Sequence, residues 1–331
     1  MPTPLRRTVS GPVFRWFALA SFVSMIVIVL TGAAVRLSGS GLGCPDWPTC
    51  FHGRVTGSLS IHPFIEYANR MVTVTLIVVI GATFVAALRR DVRRLDLVYL
   101  SGILILGVVA DAILGAFVVY SKLNPYLVSL HMVLSLAMVA AAATLYHRAK
   151  YVYGPGARAD VRDPRFRQVA RALWVPFGLL VVTGTATTGS GPHAGNSQGQ
   201  LVARRLPFAF SSAAWVHSLA AVAFIGLIVG LLGAIWARGA PTAQVMGVRR
   251  LVYVSLAQAA IGVTQYLTHV PVALVELHVA GAISLTIGMT QFTVKQTARD
   301  REPGTRRAAP STDSLSESEP AYGGPVGADS T

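Results

Sequence analysis

The sequence predicts an all-α, polytopic membrane protein in which eight transmembrane helices form two repeated four-helix bundles. Three observations carry this. Of 331 residues, 53% are hydrophobic and only 13% charged, where a soluble domain carries roughly a quarter charged residues. The apolar residues run in blocks rather than amphipathic stripes, and a block of about 20 residues crosses a ~30 Å hydrocarbon core. Short motifs of the first half also recur in the second, in the same order.

In chain order, residues 1–14 form a basic cytoplasmic lead. Spans at 16–35, 66–88, 97–120 and 126–146 make an N-terminal bundle over 15–147. The first is too long for a cleavable signal and no small-residue cleavage site follows it. A cytoplasmic linker at 148–168 carries Gly154-Pro155-Gly156, and spans at 169–188, 209–237, 251–267 and 270–294 make a C-terminal bundle over 169–295. Residues 296–331, rich in Ser, Pro, Gly and acidic groups, have too little apolar matter to fold and read as a disordered cytoplasmic tail.

The basic residues give the orientation. With the N-terminus cytoplasmic, only 6 of 28 Lys and Arg fall outside: Arg36, Arg54, Arg70, Lys122, Arg204 and Arg205. This is a strong positive-inside bias and places both termini on the cytoplasmic side of the cell membrane. The net charge of +14 is therefore mostly topology. It is split among short loops with no basic domain to hold a groove, which excludes nucleic acid as a partner.

The repeat is read from residues. Ala112-Ile113-Leu114-Gly115 and Leu130-His131 answer Ala259-Ala260-Ile261-Gly262 and Leu277-His278, each 147 residues on. Thr31-Gly32 and Gly39-Ser40-Gly41 answer Thr183-Gly184 and Gly189-Ser190-Gly191 at offsets of 152 and 150. Odd spans run outward in both halves, so the repeat is parallel about an axis along the membrane normal.

Polar residues inside such a bundle are costly and mark function. His131, His217 and His278 each lie one to two turns inside an even span that starts on the outer side. At ~1.5 Å per residue they share one depth in the outer leaflet, as axial haem ligation across a bundle requires. A lone membrane histidine more commonly bonds a neighbouring helix, but three at repeat-related positions favour ligation. His217 with His278 is the better pair for a tightly held haem b. Glu66 and Asn69 occupy the matching place in the second span, and a desolvated Glu66 suits a proton acceptor; its bland alternative is an i,i+4 pair with Arg70. Asp111 and Gln258, also 147 apart, read as interior polars bonding between helices. His62, His193 and His269 read as solvated loop residues, and His147 as incidental.

The two cysteines, Cys44 and Cys50, enclose Pro45-Asp46-Trp47-Pro48-Thr49 in the first outer loop. On an oxidising side they can form a disulfide, structural or redox-active. Two thiols are too few for zinc, even with His52 near.

The run from Thr31 through Gly32-Ala33-Ala34-Val35-Arg36-Leu37-Ser38-Gly39-Ser40-Gly41-Leu42-Gly43 to Cys44-Pro45-Asp46-Trp47-Pro48 resembles the signature of the haem A synthase family. So do Ile65-Glu66-Tyr67, the two Leu-His pairs and the run Thr188-Gly189-Ser190-Gly191-Pro192-His193-Ala194-Gly195, a likeness over roughly residues 15–295. The resemblance implies oxidation of a ring methyl of haem O to the formyl group of haem A. It further implies haem b on the second half and haem O as substrate on the first. It assigns Glu66 to the family's glutamate and Cys44 and Cys50 to its first-loop cysteines. A haem O synthase and cytochrome oxidase assembly are the implied functional partners, membrane lipid is the surrounding solvent, and a homo-oligomer is compatible with the sequence. Asn69 stands where the family commonly has histidine, which implies a first-half iron held through His131 alone or with a borrowed ligand. Two rival classes use the same residues differently. A two-haem electron-transfer cytochrome b needs no Glu66, and a membrane thiol-disulfide oxidoreductase needs no haem.

Overall fold

The computed structural model describes residues 8–50, 60–151, 164–195 and 203–297. Hydrocarbon offers the backbone no hydrogen-bond partner, so a spanning segment must satisfy itself, and a helix does so within one segment. Among the described residues the helices are α1 (Gly11–Leu37), α2 (Ile61–Leu88), α3 (Leu95–Tyr120), α4 (Pro125–Tyr151), α5 (Pro164–Ala172), α6 (Trp174–Ser190), α7 (Phe210–Ala237), α8 (Thr242–Leu267) and α9 (Val272–Thr297). Seven stretches are long and apolar enough to cross a membrane: α1, α2, α3, α4, Phe166–Ser190 across α5 and α6, α7 and α9. α8 falls short because Gln244, Arg249, Arg250, Gln258 and Gln265 dilute it. The expected span 251–267 is the apolar part of this longer helix.

Other boundaries move for local reasons. α1 starts inside the expected lead, with Pro12 in its first turn, where a missing N–H costs nothing. α4 runs to Tyr151 and α5 starts at Pro164, so the expected linker 148–168 is shorter, and 152–163 lie outside the described residues. The expected tail lies outside them from residue 298 onward, as does His52.

Two helix ends share an unusual turn. After α3, Lys122 and Leu123 take φ of 56° and 61°; after α8, His269 and Val270 take 63° and 61°. Left-handed backbone is unfavourable for non-glycine residues, most of all for a β-branched one. In each turn the second residue's N–H caps the helix, Leu123 to Val118 O and Val270 to Gln265 O, both at 2.8 Å. Leu123 and Val270 bury their side chains, which offsets the strain.

α1 to α4 pack in a closed ring, each on the next and α4 on α1. α6 to α9 pack in sequence, with α5 against α9. Between the two sets α4 meets α9, α4 meets α6, and α1 meets α9. The first set closes on Met25, Leu76, Ile80, Leu104, Val139 and Leu145, the second on Phe177, Phe224, Ile228, Val248, Leu251 and Met289. Hydroxyls add short cross-links, such as buried Ser21 to Thr83 at 2.8 Å and half-buried Trp174 to Thr293 at 2.9 Å. Outside, Trp16, Leu106, Val175, Leu219 and Trp236 are more than two-thirds exposed. At roughly 25 cal/mol per Å² such surface is unfavourable in water and neutral in lipid.

Candidate functional site

Three of the histidines singled out in the sequence sit in one local arrangement. Each imidazole lies against a glycine of the preceding helix. A Cβ placed on Gly184 of α6 would stand 3.0 Å from His217 Cε1, one on Gly262 of α8 3.2 Å from His278 Cε1, and one on Gly115 of α3 3.6 Å from His131 Cε1. The small residue leaves room for the ring between two helices.

His217 on α7 and His278 on α9 face each other across the second set of helices, with ring centres 6.2 Å apart and planes at 78°. An iron between two imidazole nitrogens at about 2 Å from each, plus a ring half-width on either side, sets the centres roughly 6 Å apart. The ring-centre separation therefore matches that of two imidazoles sharing one haem iron. Thr183 Oγ1 donates to Leu179 O at 2.9 Å and so accepts from His217 Nδ1–H at 3.2 Å. That fixes the tautomer, leaving Nε2 with its lone pair. Gln258 Nε2 donates to the backbone carbonyl of His278 at 2.7 Å, and His278 Nδ1 has no partner among the described residues.

The first set repeats this frame with one substitution. Asn69 Nδ2 donates to Thr31 Oγ1 at 2.8 Å, and Thr31 Oγ1 donates to Val27 O at 2.9 Å. Asn69 thus occupies the place that His217 has in the second set. It does not fill it: around a Cβ on Gly32 nothing lies within 4 Å, where Gly184 meets the His217 ring. His131 is the counterpart of His278 in the first set, and its Nδ1 lies 2.8 Å from Asp111 Oδ1. Asp111 and Gln258 both bond to the following helix, as expected.

Glu66 is 5% exposed, and both its oxygens are engaged. Oε2 accepts the Cys44 N–H at 2.8 Å, and Oε1 meets Arg70 at 2.6 Å. The i,i+4 pair with Arg70 is thus present. Arg70 reaches further, donating to Asp46 O at 2.6 Å and Thr49 O at 2.8 Å. Cys44 and Cys50 are bonded to each other (S–S 1.98 Å) and both are fully buried. Glu66 and Arg70 together pin the disulfide loop onto the start of α2.

Sequence reasoning missed several of these contacts. Arg36, at the end of α1, donates to Thr188 O at 2.9 Å and His193 O at 3.0 Å, joining the two sets of helices. His62 and His193 are half-buried, with one ring nitrogen of each engaged, rather than freely solvated. His62 Nδ1 bonds the Ser40 hydroxyl at 2.9 Å, and His193 Nε2 meets Val270 O at 2.8 Å. His147 is buried beside Tyr146. The repeated Thr-Gly pairs were the available signal for Thr31 and Thr183. Nothing in the sequence marked Arg36 as a cross-link.

The family model described as Cytochrome oxidase assembly protein (COX15-CtaA) matches residues 15–60 and 56–290. A protein of Geobacillus kaustophilus (strain HTA426) named "Heme A synthase" is 32% identical over 105 residues, 32% of this chain and 33% of that protein. Proteins of the same name from Lysinibacillus sphaericus (strain C3-41) and Staphylococcus haemolyticus (strain JCSC1435) are also similar. The first is 30% identical over 132 residues, 40% of this chain and 43% of that protein. The second is 26% identical over 176 residues, 51% of this chain and 55% of that protein. The matched stretches thus span about a third to just over half of the relatives' lengths.

Proposed function

The chain belongs to the Cytochrome oxidase assembly protein (COX15-CtaA) family, and from that membership we propose that it oxidises a ring methyl of haem O to the formyl group of haem A. The observation that carries the proposal is the His217–His278 pair, set 6.2 Å apart as one haem iron requires. The relatives named "Heme A synthase" support the same reading.

In this reading the two halves divide the work. His217 and His278 hold haem b, which when bound supplies one-electron transfer. His131 orients haem O in the first half, and the space beside Gly32 and Asn69 leaves the opposite face of that site open. Each hydroxylation that draws its oxygen from water passes two electrons to an external acceptor and releases two protons into a lipid-enclosed site, and Glu66, at the mouth of α2, accepts them. Arg70 and the Cys44–Cys50 loop hold Glu66 in place and cover that mouth. The recurrence of one left-handed turn at Lys122-Leu123 and His269-Val270 supports two fused four-helix repeats. So does the matched packing of α4 on α6 and α1 on α9. Eight spans follow if α8 crosses with its polar side turned inward. The biased basic residues support cytoplasmic termini, with the disulfide on the outside. Haem O synthesis must precede this reaction, and cytochrome oxidase assembly consumes its product.

The test is co-expression with a haem O synthase in a host lacking haem A, followed by chromatography of the extracted haems. Haem A in the extract is the expected result. A haem-containing protein with no haem A formed would identify an electron-transfer cytochrome. A haem-free protein that exchanges disulfides would identify a thiol oxidoreductase.

A further inference from the structure

We propose that Asp111 is a positioning residue for the first-half haem iron: its carboxylate orients the His131 ring and strengthens that imidazole's donation to the metal. The inference rests on the reading above that His131 holds an iron. Asp111 lies mid-way along α3, a helix otherwise apolar through its middle, where a carboxylate is costly in hydrocarbon. It persists there because α4 supplies it with partners. Ser135 Oγ donates to Oδ2 at 2.6 Å, and His131 Nδ1 stands 2.8 Å from Oδ1.

At that distance a bare Nδ1 lone pair would repel the carboxylate, so Nδ1 carries the proton and Nε2 the lone pair. The Nδ1 contact is short but bent, with the N–H not aimed along the line to Oδ1. A turn of the ring about Cβ–Cγ is the motion that would align it; catalytic hydrogen bonds commonly tighten only on loading. Nε2 has no partner among the described residues, while the ring is 40% exposed and the Asp111 side chain 14%. The accessible nitrogen is therefore the one with the free lone pair.

The second half lacks this device. Gln258 stands 147 residues after Asp111, is neutral, and bonds the His278 backbone rather than its ring. A carboxylate behind a ligating imidazole raises its basicity, and a stronger axial donor favours the oxidised iron. Only the first half combines such a ligand with an open opposite face, at Gly32 and Asn69. The two irons are thereby differentiated within one repeated frame.

The experiment uses the full chain purified in detergent and loaded with ferric protoporphyrin IX. It reads first-half affinity by titration and, after reduction, the iron–histidine stretch by resonance Raman. Asp111→Asn keeps a hydrogen-bond acceptor and removes the charge. It is expected to lower the stretching frequency and weaken first-half affinity about 10–100-fold, leaving the His217–His278 low-spin signal unchanged. Ser135→Ala removes the other Asp111 contact and is expected to leave the stretch in place. An unchanged stretch and affinity in Asp111→Asn protein overturns the inference. So does a Ser135→Ala shift equal to that of Asp111→Asn, since the network would then be only an interhelical tie. If Asp111→Asn does not accumulate, Asp111→Glu, which displaces the oxygens, must move the stretch, and no movement overturns the inference. His131→Ala separates the two levels. If it leaves the first-half titration and the stretch untouched, the iron is not on His131 and the functional reading falls with it.

Discussion

Glu66→Gln tests the proton-accepting role most directly, because the structure defines what else the change would disturb. Glu66 accepts from the Cys44 N–H at 2.8 Å and from the Gly43 N–H, and it pairs with Arg70 at 2.6 Å. Glutamine can keep its carbonyl toward Arg70 but then turns an amide N–H against the Cys44 N–H. The structural loss is one weakened charge-assisted bond and one unsatisfied buried donor, about 1–3 kcal/mol. That is within the range of ordinary single substitutions, so folded protein carrying haem b on His217 and His278 is expected. Loss of a general base is larger in its effect on rate, about 10²–10⁴-fold. The assay is haem A formed per mole of folded protein, with the low-spin haem spectrum as the measure of folding. Arg70→Lys is the control. It keeps the positive charge but replaces the fork whose two nitrogens reach Glu66 on one side and Asp46 O and Thr49 O on the other with one ammonium, so it loosens the disulfide loop while leaving a carboxylate at position 66. Haem A production by Arg70→Lys is expected to stay within about tenfold of the unmodified protein, against a fall of about 10²–10⁴-fold for Glu66→Gln. Normal haem A per mole in Glu66→Gln protein refutes the role of Glu66 as base. Equal losses in both variants refute it too, and leave Glu66 as an anchor of the loop.

The remaining predictions concern the ligands and the links between halves. His217→Ala and His278→Ala should each remove the six-coordinate low-spin haem spectrum; retention of it in both variants would show that the ring pair is not the ligand set. Cys44 and Cys50 should resist alkylation in freshly isolated membranes and become reactive after treatment with a dithiol; free thiols by mass spectrometry before that treatment would contradict the bond. Arg36→Ala removes two charge-assisted bonds to Thr188 O and His193 O, each worth about 1.5–3 kcal/mol. It should lower the thermal unfolding midpoint in detergent without altering the haem b spectrum of the folded protein; an unchanged midpoint would show that the cross-link contributes nothing to stability.

The spans were legible in the sequence because lipid imposes a length and an apolar composition that no packing detail can override. All eight expected spans correspond to helical segments, and seven are apolar enough to cross on composition alone. α8 is the exception: its glutamines and arginines lie along a helix packed on α7 and α9, too polar to be legible as a span by composition. The histidines were legible for a related reason, since a polar ring in hydrocarbon stands out wherever it falls. Their pairing was not. The sequence determined that His131, His217 and His278 recur near the starts of even spans and that Asn69 breaks the pattern. Only the tertiary structure decided that His217 meets His278, that space is left beside Gly32, and that Glu66 and Arg70 share the disulfide loop. Those are contacts between residues on different helices or loops. They depend on how far apart two helix axes stand and how each is rotated, and that is set by the fit of many side chains at once. Asp111 shows the division within a single residue. Its place in an apolar span marked it as interior, while the identity of its partner, a histidine ring rather than a backbone carbonyl as for Gln258, was decided by where α3 and α4 touch.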